Sequence, residues 1–206
     1  MKSITIAMLV VAVAVSSTCL AADEWVSLFD GKTLDGWKAS EHSDSWKVED
    51  GKLVCFGPRS HLFYVGDVKG ATFKNFELKL EVLLHPGSNS GVYIHTAYQQ
   101  NGWPNKGYEA QVNNTHKDRK KTGGLYGVKD VMDKSPAKDN EWWIYHITVK
   151  DKRIILRVNG EVTADYTEPE GLNRPNRQLS SGTIALQAHD PKSKAEYKNI
   201  KIKPLP

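Results

Sequence analysis

Between Asn75 and Leu84 the chain alternates without a break. Phe76, Leu78, Leu80, Val82 and Leu84 fall on one side, and Glu77, Lys79 and Glu81 on the other. Successive side chains of a strand point to opposite faces, so this run predicts a strand with one buried and one polar face, as in an antiparallel sheet. Two tight-turn signals extend the pattern. Asp50-Gly51 separates the alternating segments Ser45–Glu49 and Lys52–Phe56, and Asn159-Gly160 separates Arg153–Val158 from Glu161–Tyr166. Such pairs suit two-residue hairpin turns. Further strands are expected at Trp25–Phe29, His61–Val65, Ser88–His95, Gly107–Asn113, Thr122–Val128, Trp142–Val149, Thr183–His189 and Ala195–Lys203. Asp130–Glu141, with Pro136, and Thr167–Ser181, with Pro169, Gly171 and Pro175, are expected to be loops. No stretch after the N-terminal apolar run shows a helical period. About a dozen short strands spaced by turns predict an all-β fold, a sandwich or jelly roll.

The first residues have a different character. Lys2 precedes the apolar run Ile4–Val15, followed by the small residues up to Ala21-Ala22. This is the layout of a secretory signal, cut after Ala21, that leaves one domain over residues 22–206. The run is short for a membrane span. Cys19 raises a lipoprotein alternative, which the flanking Ser16-Ser17-Thr18 disfavours. After such a cut Cys55 is the remaining cysteine, so no intramolecular disulfide can form and the core must supply the stability. Cys55 sits in an apolar strand, where a buried, inert thiol is expected. The formal net charge of +4 is too small to argue for nucleic acid. The basic run His116–Lys121 is expected to be a solvated loop or a contact to an anionic or sugar ligand.

Period 2 also sorts the polar residues. In Ser88–His95, Tyr93 and His95 share a face; in Gly107–Asn113, Glu109, Gln111 and Asn113 do. The connection between them carries Gly102, Trp103 and Pro104, a turn able to bring an aromatic ring near that face. In Thr183–His189, Gln187 and His189 point away from the core with Ala185. If this strand joins the same sheet, His95, His189, Glu109, Gln111 and Gln187 gather on one face, as a sugar site requires. A merely solvated histidine is the plain alternative for each imidazole. A metal site of His95, His189 and Glu109 is chemically admissible, but nothing in the spacing singles it out. No cofactor is required by the sequence.

There is no His-Glu-x-x-His helix, P-loop, Gly-x-Ser-x-Gly elbow or Rossmann fingerprint. A jelly-roll glycosidase would place paired carboxylates on one strand face. The comparable strand here reads Glu109-x-Gln111-x-Asn113, with an amide where the second acid would stand.

The segments Leu28–Trp37, Phe76–Lys79 leading to Gly87–Tyr93, Gly107–Val112, Thr122–Gly127, Asn140–Trp142, Val158–Gly160, Gly182–His189 and Tyr197–Ile202 resemble, in order, the 3-keto-disaccharide hydrolase domain family. The resemblance spans essentially the whole chain after the leader. It implies a concanavalin A-like jelly-roll β-sandwich, export to the bacterial periplasm or beyond, and cleavage of glycosides already oxidised at sugar C3. It implies a carbohydrate substrate, a pathway link to a sugar 3-dehydrogenase, and no transmembrane domain once the leader is gone. A C3 ketone acidifies the C2 proton, so a base can start β-elimination of the C1 oxygen, and water can add back. One base, one acid and an enolate holder suffice. The candidates are Glu109, His189 and His95 for the proton transfers. Gln111, Asn89, Tyr93, Trp103, Tyr126 and Gln187 are candidates for holding substrate, and a divalent cation is an alternative enolate holder. The competing expectation is a non-catalytic, lectin-like carbohydrate-binding module that uses the same aromatics and amides.

Overall fold

The computed structural model describes residues 24–206, so the expected leader at residues 1–21 lies outside the described residues. The strands are β1 (Val26–Ser27), β2 (Trp37–Ala39), β3 (Trp46–Glu49), β4 (Lys52–Phe56), β5 (Ser60–Tyr64), β6 (Phe76–Leu84), β7 (Asn89–Thr96) and β8 (Tyr108–Asn113), followed by β9 (Lys120–Leu125), β10 (Lys129–Met132), β11 (Trp143–Lys150), β12 (Arg153–Val158), β13 (Glu161–Thr167), β14 (Thr183–Ala188) and β15 (Lys194–Pro204). They form two antiparallel sheets. One runs β13-β12-β11-β6-β15-β4-β3, with β1 added on β15; the other runs β10-β9-β8-β7-β14-β5-β2. The fold is therefore the expected all-β, concanavalin A-like jelly-roll sandwich.

The alternation in β6 is realised. Phe76, Leu78, Leu80, Val82 and Leu84 are buried, and Glu77, Lys79 and Glu81 are half-buried on the outer side. Opposite them, Val92, Ile94, Tyr108, Ala110, Val112, Ile184, Leu186 and Ala188 close the core from the second sheet. Burial of such side chains contributes roughly 1.5–3 kcal/mol each. Cys55 is buried and unpaired, and burial pushes its thiol up to about 12. No helix of the described residues is long and apolar enough to cross a membrane.

Two edge strands were not expected. β2 and β10 are short, and Lys129–Met132 lies at the start of a segment whose composition reads as loop. Both gain their conformation from pairing, β2 along β5 and β10 along β9. The more consequential departure concerns the second sheet. β7, β8 and β14 are buried on both faces. Their inner faces meet the core, while their outer faces are roofed by loops. Phe63, Tyr93 and Ala185 form a separate apolar cluster on that outer face, covered by Tyr98 from the β7–β8 connection. The polar face predicted from alternation is thus the floor of an enclosed cleft.

Candidate active site

Cross-strand register builds the floor. Tyr93 pairs with Glu109 and Gly91 with Gln111 between β7 and β8. Tyr93 pairs with Ala185 between β7 and β14, and Gln187 pairs with His61 between β14 and β5. Side chains directly opposite on one face lie within contact distance. The loops between strands add Trp103, Pro104, Asp118, Tyr126, Arg177 and His189. Together with Asn89, Tyr93, Glu109, Gln111 and Gln187 they line a cavity of about 240 Å³.

Glu109 is the buried acid of this cavity, 7% exposed. Gln187 Nε2 donates to its Oε1 at 3.0 Å and to the Tyr93 hydroxyl oxygen at 2.9 Å. The Tyr93 hydroxyl in turn bonds to the carboxylate. Burial raises the carboxyl, and the Tyr93 and Gln187 hydrogen bonds and the Arg177 charge pull it partly back, to about 7. Gly91 makes this geometry available. A Cβ there would overlap Glu109 Oε1 and sit 3.1 Å from its Cδ and Cγ. The glycine belongs to a strand yet serves the side chain on its neighbour.

His189 stands just beyond the end of β14. Its Nδ1 donates to Asp190 Oδ2 at 2.8 Å. Asp190 also accepts from Ser193 Oγ at 2.8 Å and from the Lys192 amide at 2.9 Å. Burial pushes the Asp190 carboxyl up, but these hydrogen bonds outweigh it and hold the group at about 2. A fixed, ionised carboxylate thus orients the imidazole and leaves Nε2 available for proton transfer. The Trp103 ring packs 5.3 Å from His189, and the His116 ring 5.5 Å from it on another side.

The structure brings together eight of the residues singled out from sequence: Glu109, His189, Gln111, Asn89, Tyr93, Trp103, Tyr126 and Gln187. It does not bring in His95. Three steps along β7 from Tyr93 to Thr96 match two along β14 from Ala185 to Thr183, so an extra residue bulges here. His95 takes a φ of 53° within the bulge. Its ring consequently lies against core residue Phe76, at 5.8 Å. Nε2 bonds to the Lys74 carbonyl at 2.8 Å, and Nδ1 accepts from the Ser180 amide at 3.1 Å. Both nitrogens are committed to backbone, and the expected face assignment of His95 is corrected. The metal set of His95, His189 and Glu109 is therefore not assembled.

Other groups are better placed for a cation. Ligand atoms of His116, His189 and Asp190 lie within 4.8 Å of one another. However, His116 Nδ1 accepts from the Asp118 amide at 3.2 Å, and Asp190 is bonded as described. A cation would have to use the remaining nitrogens of the two imidazoles, with Asp190 as an outer carboxylate.

Several cavity residues carry no pattern in the sequence that marks them. Arg177 comes from the loop Thr167–Ser181, where no periodicity marks it; its Nη1 donates to the Tyr126 carbonyl at 2.5 Å. Asp118 lies inside the basic run, which concealed it as one acid among cations. Its oxygens accept from the Lys120 amide at 2.9 Å and the Tyr126 hydroxyl at 3.3 Å. Gln111 is less free than its position suggests. Its Oε1 accepts from the Val112 amide at 3.2 Å, and its Nε2 reaches the Lys120 carbonyl at 3.4 Å.

The chain resembles proteins of the same architecture. A 3-keto-disaccharide hydrolase of Bacteroides thetaiotaomicron is 25% identical over 172 residues, covering 70% of this chain; the match spans 59% of that protein's length. A crystal structure of a candidate glycosyl hydrolase from Parabacteroides distasonis is 26% identical with a TM-score of 0.73, covering 88% of this chain and 94% of the other. Carbohydrate-binding module CBM66 of Bacillus subtilis, 12% identical with a TM-score of 0.55, covers 82% of this chain and 95% of its own, and shares the fold alone. The match that places the chain runs over residues 24–203, nearly everything described above. The chain belongs to the 3-keto-alpha-glucoside-1,2-lyase-like domain family.

Proposed function

We propose that this protein cleaves 3-keto-glycosides by base-initiated β-elimination, with Glu109 as the base and His189 as the acid. The observation that carries the reading is Glu109 itself: a deeply buried carboxyl, raised to about 7, on the floor of a polar cavity. A general base works best with a pKa near the working pH. An enzyme that removes an acidified C2 proton needs this one base, rather than a nucleophile paired with an acid.

In the proposed step the Glu109 carboxylate takes the C2 proton. The C2–H electrons form the C1–C2 bond's second pair through the enolate, and the C1–O bond breaks. His189 Nε2 delivers a proton to the departing oxygen, while Asp190 stabilises the neighbouring Nδ1–H. Developing charge on the C3 oxygen is met by donors in the cavity, of which the Arg177 guanidinium carries full positive charge. Water added across C1–C2 converts the unsaturated product into the hydrolysed sugar. Trp103, exposed on one face, and Tyr126 offer surfaces for the sugar ring. Export to the periplasm and supply of the ketone by a sugar 3-dehydrogenase complete the reading.

Asp118 favours a second reading. It restores a second carboxylate to the cavity, as an acid-pair glycosidase would need. Incubation with 3-keto-trehalose and with unoxidised trehalose separates these. Turnover restricted to the keto sugar, and lost in Glu109→Gln, supports elimination. Turnover of trehalose lost in Asp118→Asn supports the acid pair. Binding of either sugar without turnover supports the lectin-like module and rejects both enzymes.

A further inference from the structure

His61 is 0% exposed, and neither ring nitrogen has a hydrogen-bond partner. It faces the cleft side of β5, directly beside Gln187 on β14. Its ring is boxed by Tyr93 at 5.4 Å, Phe63 at 6.4 Å and Trp103 at 5.5 Å. Burial, with the Arg59 charge, holds the imidazole neutral. A neutral imidazole offers one donor and one acceptor, and leaving such groups unpaired in the interior is costly. Two further orphans lie on the same floor: Gln187 Oε1 and Asn89 Oδ1 are buried without partners. Both are acceptors, so the missing partners are donors. The neighbouring hydroxyls of a sugar ring supply donors and can also accept from an imidazole N–H; an ionised carboxylate or a phosphate-ester dianion has no donor for the two amide oxygens.

The Trp103 ring lies against His61 and also lines the cleft, which His61 itself does not. It is 44% exposed and packs between His61 and His189. Around Trp103 the loop is braced from within: Gln99 Nε2 donates to the Asn101 and Trp103 carbonyls at 2.7 and 2.8 Å, and Gln99 Oε1 accepts from the Asn105 amide at 3.0 Å. Outside ties run to Glu41, whose carboxylate accepts from the Gly102 amide at 3.2 Å and from Arg59 Nε at 2.7 Å and whose amide donates to the Gln100 carbonyl at 3.0 Å; the ends of the loop are held by Tyr98 on Phe63, 5.4 Å between rings, and by Lys106 Nζ on the Ser181 carbonyl at 2.8 Å. Arg59 in turn lies 5.1 Å from the Trp103 ring. Among the described residues no bond at Trp103 belongs to a strand ladder, so this segment can lift between its anchored ends without dismantling the sheet.

We infer that His61, with Gln187 Oε1 and Asn89 Oδ1, forms a hydroxyl-binding subsite for the sugar, opened when Trp103 lifts. This rests on the reading of the cleft as a sugar site. His61 contacts a hydroxyl rather than the reacting atoms, so it sets affinity more than rate.

The direct test records histidine side-chain nitrogen resonances of the Glu109→Gln protein during titration with trehalose and 3-keto-trehalose. At saturation both ring nitrogens of His61 are expected to shift, together with those of His189. In the otherwise native enzyme, His61→Phe is expected to raise KM for 3-keto-trehalose about tenfold, on the order of one lost neutral hydrogen bond. Its kcat stays within about threefold and its melting temperature is unchanged or higher, since orphaned groups are removed. Trp103→Ala provides a second variant, in which diethyl pyrocarbonate modifies His61 and bound sugar protects it. The subsite is overturned if His189 reports saturation while His61 does not move, or if His61→Phe retains the original KM. A shift at His61 without turnover by the native protein rejects elimination and keeps the subsite. If neither sugar binds, both are rejected.

Discussion

Gly91→Ala tests the proposed role of Glu109 as base better than removing the carboxylate does. Its φ lies outside the left-handed region, so alanine introduces no backbone strain and the strand pairing of Gly91 with Gln111 can persist. The added Cβ would stand 3.1 Å from Glu109 Cδ and Cγ and overlap Oε1. Ordinary carbon contacts lie at about 3.5–4.0 Å. The carboxylate must therefore withdraw by roughly 0.5–1 Å, which also strains its 3.0 Å bond from Gln187 Nε2. Misplacing a reacting group by about 1 Å costs on the order of a hundredfold in rate. Steady-state turnover of 3-keto-trehalose by Gly91→Ala should show kcat down by about that factor, with KM little changed and a cooperative unfolding transition retained. A folded Gly91→Ala protein with undiminished kcat would refute the placement of Glu109 at the reacting carbon.

Other outcomes follow from the same geometry. Burial holds the Glu109 carboxyl at about 7 in the folded protein, against 4.5 for an ordinary glutamate. Its folded form binds the proton more tightly, so the stability it contributes is complete below about pH 4.5 and is lost as pH rises through 7. At about 1.36 kcal/mol per unit, the protein should lose about 3 kcal/mol relative to Glu109→Gln between pH 4 and 8, read by urea unfolding; parallel curves would contradict the burial. The rising limb of kcat/KM should have its midpoint near 7, as the Glu109 carboxyl ionises. Asp190→Asn leaves His189 without its anionic orienter, and kcat should fall at least about tenfold with KM nearly constant. With Glu109 and His189 carrying the proton transfers, chelator dialysis should leave kcat within about twofold; loss restored by a divalent cation would instead place one between His116 and His189.

Most of the architecture was legible in residues 75–84, 45–56 and 153–166, where alternation and turn pairs leave one conformation available. β2 and β10 were not, since three- and four-residue edge strands take their shape from a neighbour rather than from their own pattern. The cleft floor was legible for the same reason as the strands. Glu109, Gln187 and Tyr93 obey period 2, and Gln187 reaches Glu109 because β14 lies beside β7. His95 broke the rule because a single extra residue reverses every face beyond it. Arg177, Asp118 and His116 belong to irregular loops whose positions depend on long-range packing. His61 did carry a signal: it shares the parity of Phe63 in a strand that pairs with β14. Only the strand order, which no local pattern encodes, puts it under the cleft.

The central claim is that the C2 proton leaves first, taken by Glu109. Turnover of 3-keto-trehalose in D2O, with a no-enzyme control for spontaneous exchange, tests it directly. The account predicts either an unsaturated product or a hydrolysed 3-keto-glucose carrying deuterium at C2 well above the control, with both lost in Glu109→Gln. A hydrolysed product with no more C2 deuterium than the control would contradict it.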